Sequence, residues 1–254
     1  MRWWQAPRRW FNVVRSLAAN PAEYFALPED ERFALWEAGT REVGQAFIAR
    51  GHGKVLLDLG CGPPDRRSVA AAVRAARTIG VDMLPANQPD LVAAVDRLGL
   101  RSESVDSINC LSVLEHVFYP QETIAEIYRV LRPGGCVQVQ VPFLLQYHGY
   151  PDDYFRYTHS ALQRLFEEAG FRVVCLETDW TKGAYLNAAK MLEDGSWDMA
   201  KPRWRFISRV LAKVLFRLNA RVDQYYASAG RGMYHALSLL AEKPARPGED
   251  TKDK

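Results

Sequence analysis

Asp58, Gly60 and Gly62 stand two apart in LDLGCGPPD, residues 57–65, directly behind an apolar run. That spacing suits ligand binding at a strand-to-helix turn: glycines let the backbone come close, and a carboxylate waits at the end of the strand. The stretch offers G-x-G but not the third glycine of a dinucleotide site, because Asp65 occupies the sixth place. A pyrophosphate is held at such a turn by free N–H groups and the positive end of the following helix. Pro63 and Pro64 remove two of those donors and Asp65 adds negative charge, so a pyrophosphate is poorly served. Asp82, in GVD, lies 22 residues after Gly60, near the spacing of about 20 at which an acidic side chain accepts hydrogen bonds from ribose hydroxyls. The pattern asks for a nucleoside without phosphates.

S-adenosylmethionine is such a ligand, with an adenosine, an amino-acid end and a sulfonium cation that the Asp58 carboxylate would favour. A second chemical cluster is PFLLQYHGYPDDYFRYTHS, residues 142–160, rich in aromatic and ionisable groups. It is the candidate acceptor site. His148 is the first choice of base, since an imidazole titrates near working pH. Asp152 and Asp153 are alternatives, either of which could instead orient a histidine or bind acceptor hydroxyls. Tyr150, Tyr154 and Arg156 are candidate substrate contacts, with an ion pair to Asp152 or Asp153 the competing reading of Arg156. His116, in LEHV, could reach the same crevice or serve as a helix cap or packing residue. No metal site is expected, because Cys61, Cys110, Cys136 and Cys175 are far apart and form no C-x-x-C pair.

These groups need a frame. The runs VLLDL, TIGVD, DLVAAV, DSINCL, CVQVQV and FRVVCLE alternate with the helical patterns SVAAAVRAAR, QETIAEIYRVL and SALQRLFEEAG, which is how a parallel sheet with crossover helices is written. Pro120 marks the start of one helix and RPGG its close; Thr158 or Ser160 caps the next, and Gly170 follows its last turn. YHALSLLAEK reads as the last strand, antiparallel and inserted beside the fifth. Upstream, helices are expected over residues 8–19 and 29–49, the second ended by Gly51-His52-Gly53.

In order and spacing, VLLDLGCGPP, GVD, SVDSINCLSVLEHV and IYRVLRPGGCVQVQVP resemble the successive motifs of the class I S-adenosylmethionine-dependent methyltransferases over roughly residues 53–180. The resemblance implies an α/β fold: a Rossmann-like doubly wound seven-stranded sheet, mostly parallel with an antiparallel last strand and helices on both faces. It implies that Asp58, Gly60 and Gly62 line the methionine and ribose part of the site, with Cys61 between them. Asp82 would hold the ribose and Met83 pack on the adenine, while Cys110 and Leu111 border the methionine end. Where relatives place an adenine-binding aspartate near the end of the third strand, this chain has Ala94, with Asp96 two residues on. The implied activity is methyl transfer, read here as O-methylation of a small hydroxylated molecule or glycan. A nicotinamide-dependent oxidoreductase and a non-catalytic nucleoside-binding module are the competing readings.

Composition narrows the partners. The chain has 254 residues, 48% hydrophobic and 25% charged, and a formal net charge of +3, too small to argue for nucleic acid. It lacks the Asn/Asp-Pro-Pro-aromatic string of adenine amino-methylases, having NCLS there, and it has no Pro-Cys pair of the kind cytosine C5 methylases use. No apolar run approaches the roughly 20 residues of a membrane span, and the basic N-terminus lacks the core of a secretory signal. The cysteines read as free thiols of a reducing compartment, so a cytoplasmic location is expected. KPRWRFISRVLAKVLFRLNAR carries Trp204, Ile207, Leu211, Val214 and Leu218 on one face and seven basic residues with no acidic one between residues 201 and 221. It is read as a solvated cap, with peripheral contact to the inner face of an anionic membrane as the alternative. The expected organisation is an N-terminal helical segment over 1–52, the core over 53–180, a helical insertion over 181–233, the last strand over 234–244 and a disordered tail over 245–254.

Overall fold

The period-two pattern of Cys136-Val137-Gln138-Val139-Gln140-Val141 sends valines to one face of a strand and glutamines to the other, and all six residues are buried. A strand buried on both faces belongs in the middle of a sheet. The computed structural model describes residues 41–51, 54–63, 75–145, 147–149, 151–178, 210–211, 214 and 236–246. The chain divides into two compact units, one of Thr40–Phe143, Tyr147–Thr178 and Ala236–Lys254, the other of Met1–Gly39, Leu144–Gln146 and Asp179–His235. The first contains the sheet.

Its strands are β1 (Val55–Leu59), β2 (Arg77–Asp82), β3 (Leu91–Val92), β4 (Val105–Leu111), β5 (Leu131–Pro142), β6 (Arg172–Thr178) and β7 (Ala236–Glu242). They lie in the order β3-β2-β1-β4-β5-β7-β6. The first five run parallel, and β7 is antiparallel to both β5 and β6, between which it is inserted as expected. The order reverses direction between β1 and β4, so the carboxyl ends of β1, β2 and β4 face one crevice.

The described helices are α1 (Arg41–Gly51), α2 (Pro120–Val130) and α3 (His159–Glu168). Val43 and Phe47 of α1 pack with Leu56, Cys136 and Leu240, which covers the glutamine-bearing side of the sheet. In α2, Pro120 stands in the first turn and Ile124 and Ile127 are fully buried. In α3 the cap is Thr158, whose side chain accepts from the Ala161 amide at 3.2 Å, while Leu162 and Phe166 are buried. Gly170, with φ of +97°, follows it.

Two expectations need correction. RPGG does not close α2: the helix stops at Val130, Leu131 turns extended and pairs with Val105, and Arg132–Gly135 bulge out before pairing resumes at Cys136. A Cβ on Gly135 would lie 2.8 Å from the carbonyl oxygens of Arg132 and Asp106, which is why glycine is needed there. The buried Lys243 ties the bulge down, exchanging backbone bonds of 2.8 Å with Gly134 and Gly135 and donating from Nζ to the carbonyls of Tyr128 and Leu131. DLVAAV forms only the two residues of β3: the Ala93 amide makes the last bond to β2, at the Asp82 carbonyl, and the chain then turns at Ala94–Arg97. The helix expected over residues 8–19 and residues 68–74 of the one expected at SVAAAVRAAR lie outside the described residues, while Arg77, the last of that pattern, opens β2; most of the N-terminal segment, the 181–233 insertion and the tail also lie outside. Within the basic stretch, the described Val210, Leu211 and Val214 are exposed and helical.

Candidate active site

The glycine turn leaves β1 with both glycines in the left-handed region, φ +62° at Gly60 and +60° at Gly62. A Cβ on Gly60 would stand 2.6 Å from Val113 Cγ2, whereas Gly62 has open space there. The first glycine therefore answers a close approach inside the fold, and the second leaves room for a ligand. The buried Cys61 is a spacer whose amide donates to the Val81 carbonyl at 3.1 Å. Asp82 is buried and already set: Oδ2 accepts from the Gly62 amide at 3.1 Å and Oδ1 from the Leu84 amide at 2.8 Å. Each oxygen retains acceptor capacity for a ribose hydroxyl. Pro63 offers no N–H; Pro64 and Asp65 lie outside the described residues.

Asp58, also buried, accepts from Asn109 Nδ2 at 2.7 Å across paired positions of β1 and β4. Met83 is 55% exposed just past β2, free to lie against a flat ligand. Leu111 is half-buried at the end of β4, followed by Ser112 in the left-handed region. Asp96 is half-buried and Ala94 exposed, both in the turn after β3.

Beyond β4 a short 3-10 turn, Leu114–His116, meets the segment after β5. The Glu115 carbonyl accepts from the amides of Tyr154 and Phe155 at 2.7 and 3.2 Å, and the Tyr157 hydroxyl donates to the Leu114 carbonyl at 2.9 Å. This docking brings together three side chains. His116 and His148 sit edge to face with ring centroids 5.0 Å apart, and each Nε2 lies 3.7 Å from Glu115 Oε1. The Glu115 side chain is fully buried and neither carboxylate oxygen has a hydrogen-bond partner.

Behind the rings stand their supports. His116 Nδ1 lies 2.5 Å from the Asp152 carbonyl, and His148 Nδ1 lies 3.2 Å from Asp153 Oδ2. Arg156 grips both oxygens of Asp153, at 2.5 and 2.7 Å. That guanidinium, helped by the His148 amide, holds the Asp153 carboxyl well below the usual carboxylate range despite burial. Asp153 is thus a poor proton acceptor and a good orienting group for His148. Arg156 has taken the ion-pair alternative, and Tyr154 donates from its hydroxyl to Asp152 Oδ2 at 3.0 Å. Tyr150 lies outside the described residues.

Cys110 links the two halves of the site. Burial first, then the Glu115 and Asp58 carboxylates, push its thiol well above the ordinary value, so both acids act on one buried atom. Sequence reading passed over Glu115 and Asn109. The available signals were a glutamate inside the apolar frame of VLEHV and an asparagine at a core position of β4.

Residues 57–139 match the family model described as a methyltransferase domain. The chain is 29% identical over 154 residues to a Mycolicibacterium smegmatis protein named "Probable S-adenosylmethionine-dependent methyltransferase", covering 54% of this chain and 60% of that one. It is 35% identical over 100 residues to the ubiquinone biosynthesis O-methyltransferase of Pseudomonas savastanoi pv. phaseolicola, 34% of this chain and 43% of that one. It thus spans about half the length of these curated relatives. Among solved structures, the fold is similar to Burkholderia thailandensis 1,6-didemethyltoxoflavin-N1-methyltransferase, with a TM-score of 0.50 and 18% identity over 96% of this chain and 93% of that one. The methyltransferase-domain match over residues 57–139, with its motifs in order along a β3-β2-β1-β4-β5-β7-β6 sheet, supports a class I S-adenosylmethionine-dependent methyltransferase.

Proposed function

We propose that this protein transfers the methyl group of S-adenosylmethionine to a hydroxyl of a small molecule or glycan. The observation that carries the cofactor half is the buried Asp82 carboxylate, set by the Gly62 and Leu84 amides at the mouth of the crevice, beside a turn in which Pro63 supplies no donor for a phosphate. That combination favours an unphosphorylated ribose. Asp58, fixed by Asn109, supplies negative charge for the sulfonium and amino-acid end.

Methyl transfer is an in-line displacement, so holding the attacking oxygen near the methyl carbon supplies much of the rate, and the hydroxyl must also give up its proton. The Glu115–His116–His148 cluster is where this reading binds the acceptor hydroxyl and releases that proton, with Asp153 and Arg156 positioning His148 and with Tyr154 and Asp152 at the exposed rim. The O-methyltransferase among the relatives agrees with a hydroxyl acceptor.

Calorimetry tests the reading. Native protein should bind S-adenosylmethionine and S-adenosylhomocysteine. Asp82→Ala should weaken both by roughly one to two factors of ten, the worth of about 1.5–3 kcal/mol for hydrogen bonds to a charged acceptor. Affinity for neither compound would overturn it, and binding of NAD instead would point to hydride chemistry.

A further inference from the structure

We infer that Glu115, His116 and His148 form a binding site for a divalent transition-metal cation. Three observations converge. First, Glu115 is a fully buried carboxylate with no hydrogen bond to either oxygen, an arrangement that folded proteins avoid unless something else compensates the charge. Second, one ligand atom from each of the three residues lies within 4.8 Å of the others. Third, both imidazoles are oriented from behind. A carbonyl oxygen can only accept, so His116 carries its proton on Nδ1 toward Asp152. The ionised Asp153 selects the same tautomer at His148. Each ring then turns Nε2, the nitrogen with the lone pair, toward Glu115.

At 3.7 Å, Nε2 and Oε1 are too far apart to share a proton in a hydrogen bond. In this tautomer two Nε2 lone pairs stand beside one buried carboxylate, a donor set that a cation satisfies. Two ligands on one tetrahedral ion with bonds of 2.0–2.2 Å stand roughly 3.4 Å apart, within a few tenths of an ångström of each Nε2–Oε1 distance, and the two imidazoles, within 4.8 Å, would draw together on the ion. Carboxylate- and carbonyl-backed histidines are the usual second layer of such centres. Two imidazoles and one carboxylate suit manganese, iron, cobalt or zinc in the divalent state better than calcium or magnesium, which favour oxygen, and three protein ligands leave a position open.

No short sequence motif marks this site, because its ligands come from two separate loops. Cation binding stands apart from the proposed activity; its use there rests on that reading. With the cation bound His148 is a ligand and not the base, and an acceptor hydroxyl in the open position would lose its proton to water more readily. Its oxygen would then form one O–CH3 bond as the S–CH3 bond breaks, with S-adenosylhomocysteine leaving.

Cobalt(II) chloride is the probe, titrated into full-length protein stripped with a chelator and followed by its visible absorption and by calorimetry. One saturable site per chain is expected. Glu115→Gln and His148→Ala should each abolish it, and Asp153→Asn should weaken it roughly 10- to 100-fold. Variants are scored only if their circular dichroism matches the native protein; the part-exposed His148 keeps the test alive should Glu115→Gln fail to fold. No saturable binding, or equal binding in native protein and His148→Ala, would overturn the site. S-adenosylmethionine affinity is measured in the same preparations: cofactor binding without cobalt binding defeats this inference alone, and the reverse defeats the methyl-transfer reading alone.

Discussion

Asp58 and Asn109 face each other at paired positions of β1 and β4, both buried, with Nδ2 donating to Oδ1 at 2.7 Å. The bond fixes an ionisable side chain at the lip of the crevice from inside the sheet. Asn109→Leu should cost about 1.5–3 kcal/mol of stability, the worth of a hydrogen bond to a charged group. Asn109→Asp should cost more at neutral pH, because two carboxylates would then share a buried site. Urea unfolding at pH 7 checks the order, and both variants should bind S-adenosylmethionine more weakly than native protein does.

The parts of the site legible in the sequence are those written by neighbours along the chain. Gly60 and Gly62 announce a left-handed turn, and Asp82 sits at a fixed distance from them at the end of an apolar run, so local pattern suffices. Glu115 is different. Its burial depends on Tyr154, Phe155 and His148 arriving from a loop more than 30 residues away, and nothing in VLEHV tells whether the glutamate points to water or inward. The glycines of RPGG misled for a related reason: they look like a helix stop, but the crowding at Gly135 comes from Asp106 on the neighbouring strand.

The ion pair between Glu126 and Arg129 makes a pH prediction. Arg129 donates from Nε and Nη2 at 2.7 and 2.8 Å, and the Leu98 amide donates to Glu126 Oε1 at 2.9 Å. The Arg129 hydrogen bonds, more than the Leu98 amide, hold the Glu126 carboxyl below its ordinary 4.5. A carboxyl depressed in the folded state stabilises above its unfolded pKa and loses that contribution as pH falls through the folded one. Glu126→Gln should therefore unfold at lower urea than native protein at pH 7, and the gap should narrow below about pH 4.5. A gap that stays constant to acid pH would assign the effect to packing instead.

Burial pushes the Cys136 thiol up to about 11 and the Cys110 thiol higher still. The thiolate is the reactive species, so both should resist alkylation at pH 8 in folded protein and react once urea unfolds it. Peptide mapping after iodoacetamide treatment reads this site by site. Cys175 is partly exposed and should label ahead of them.

Gly60 and Gly62 share a backbone conformation but differ in surroundings, which separates two costs of replacing them. Gly62→Ala meets no atom and should lose only the left-handed penalty, about 1–2 kcal/mol. Gly60→Ala adds a collision with Val113 Cγ2, so it should be the more damaging change. Val113→Ala removes that methyl and should restore part of the loss in the Gly60→Ala background while destabilising the native one. A coupling energy of opposite sign to the single losses, measured by urea unfolding of all four proteins, is the expected result. Independent, additive losses would mean that Gly60 is needed for its torsion angle alone.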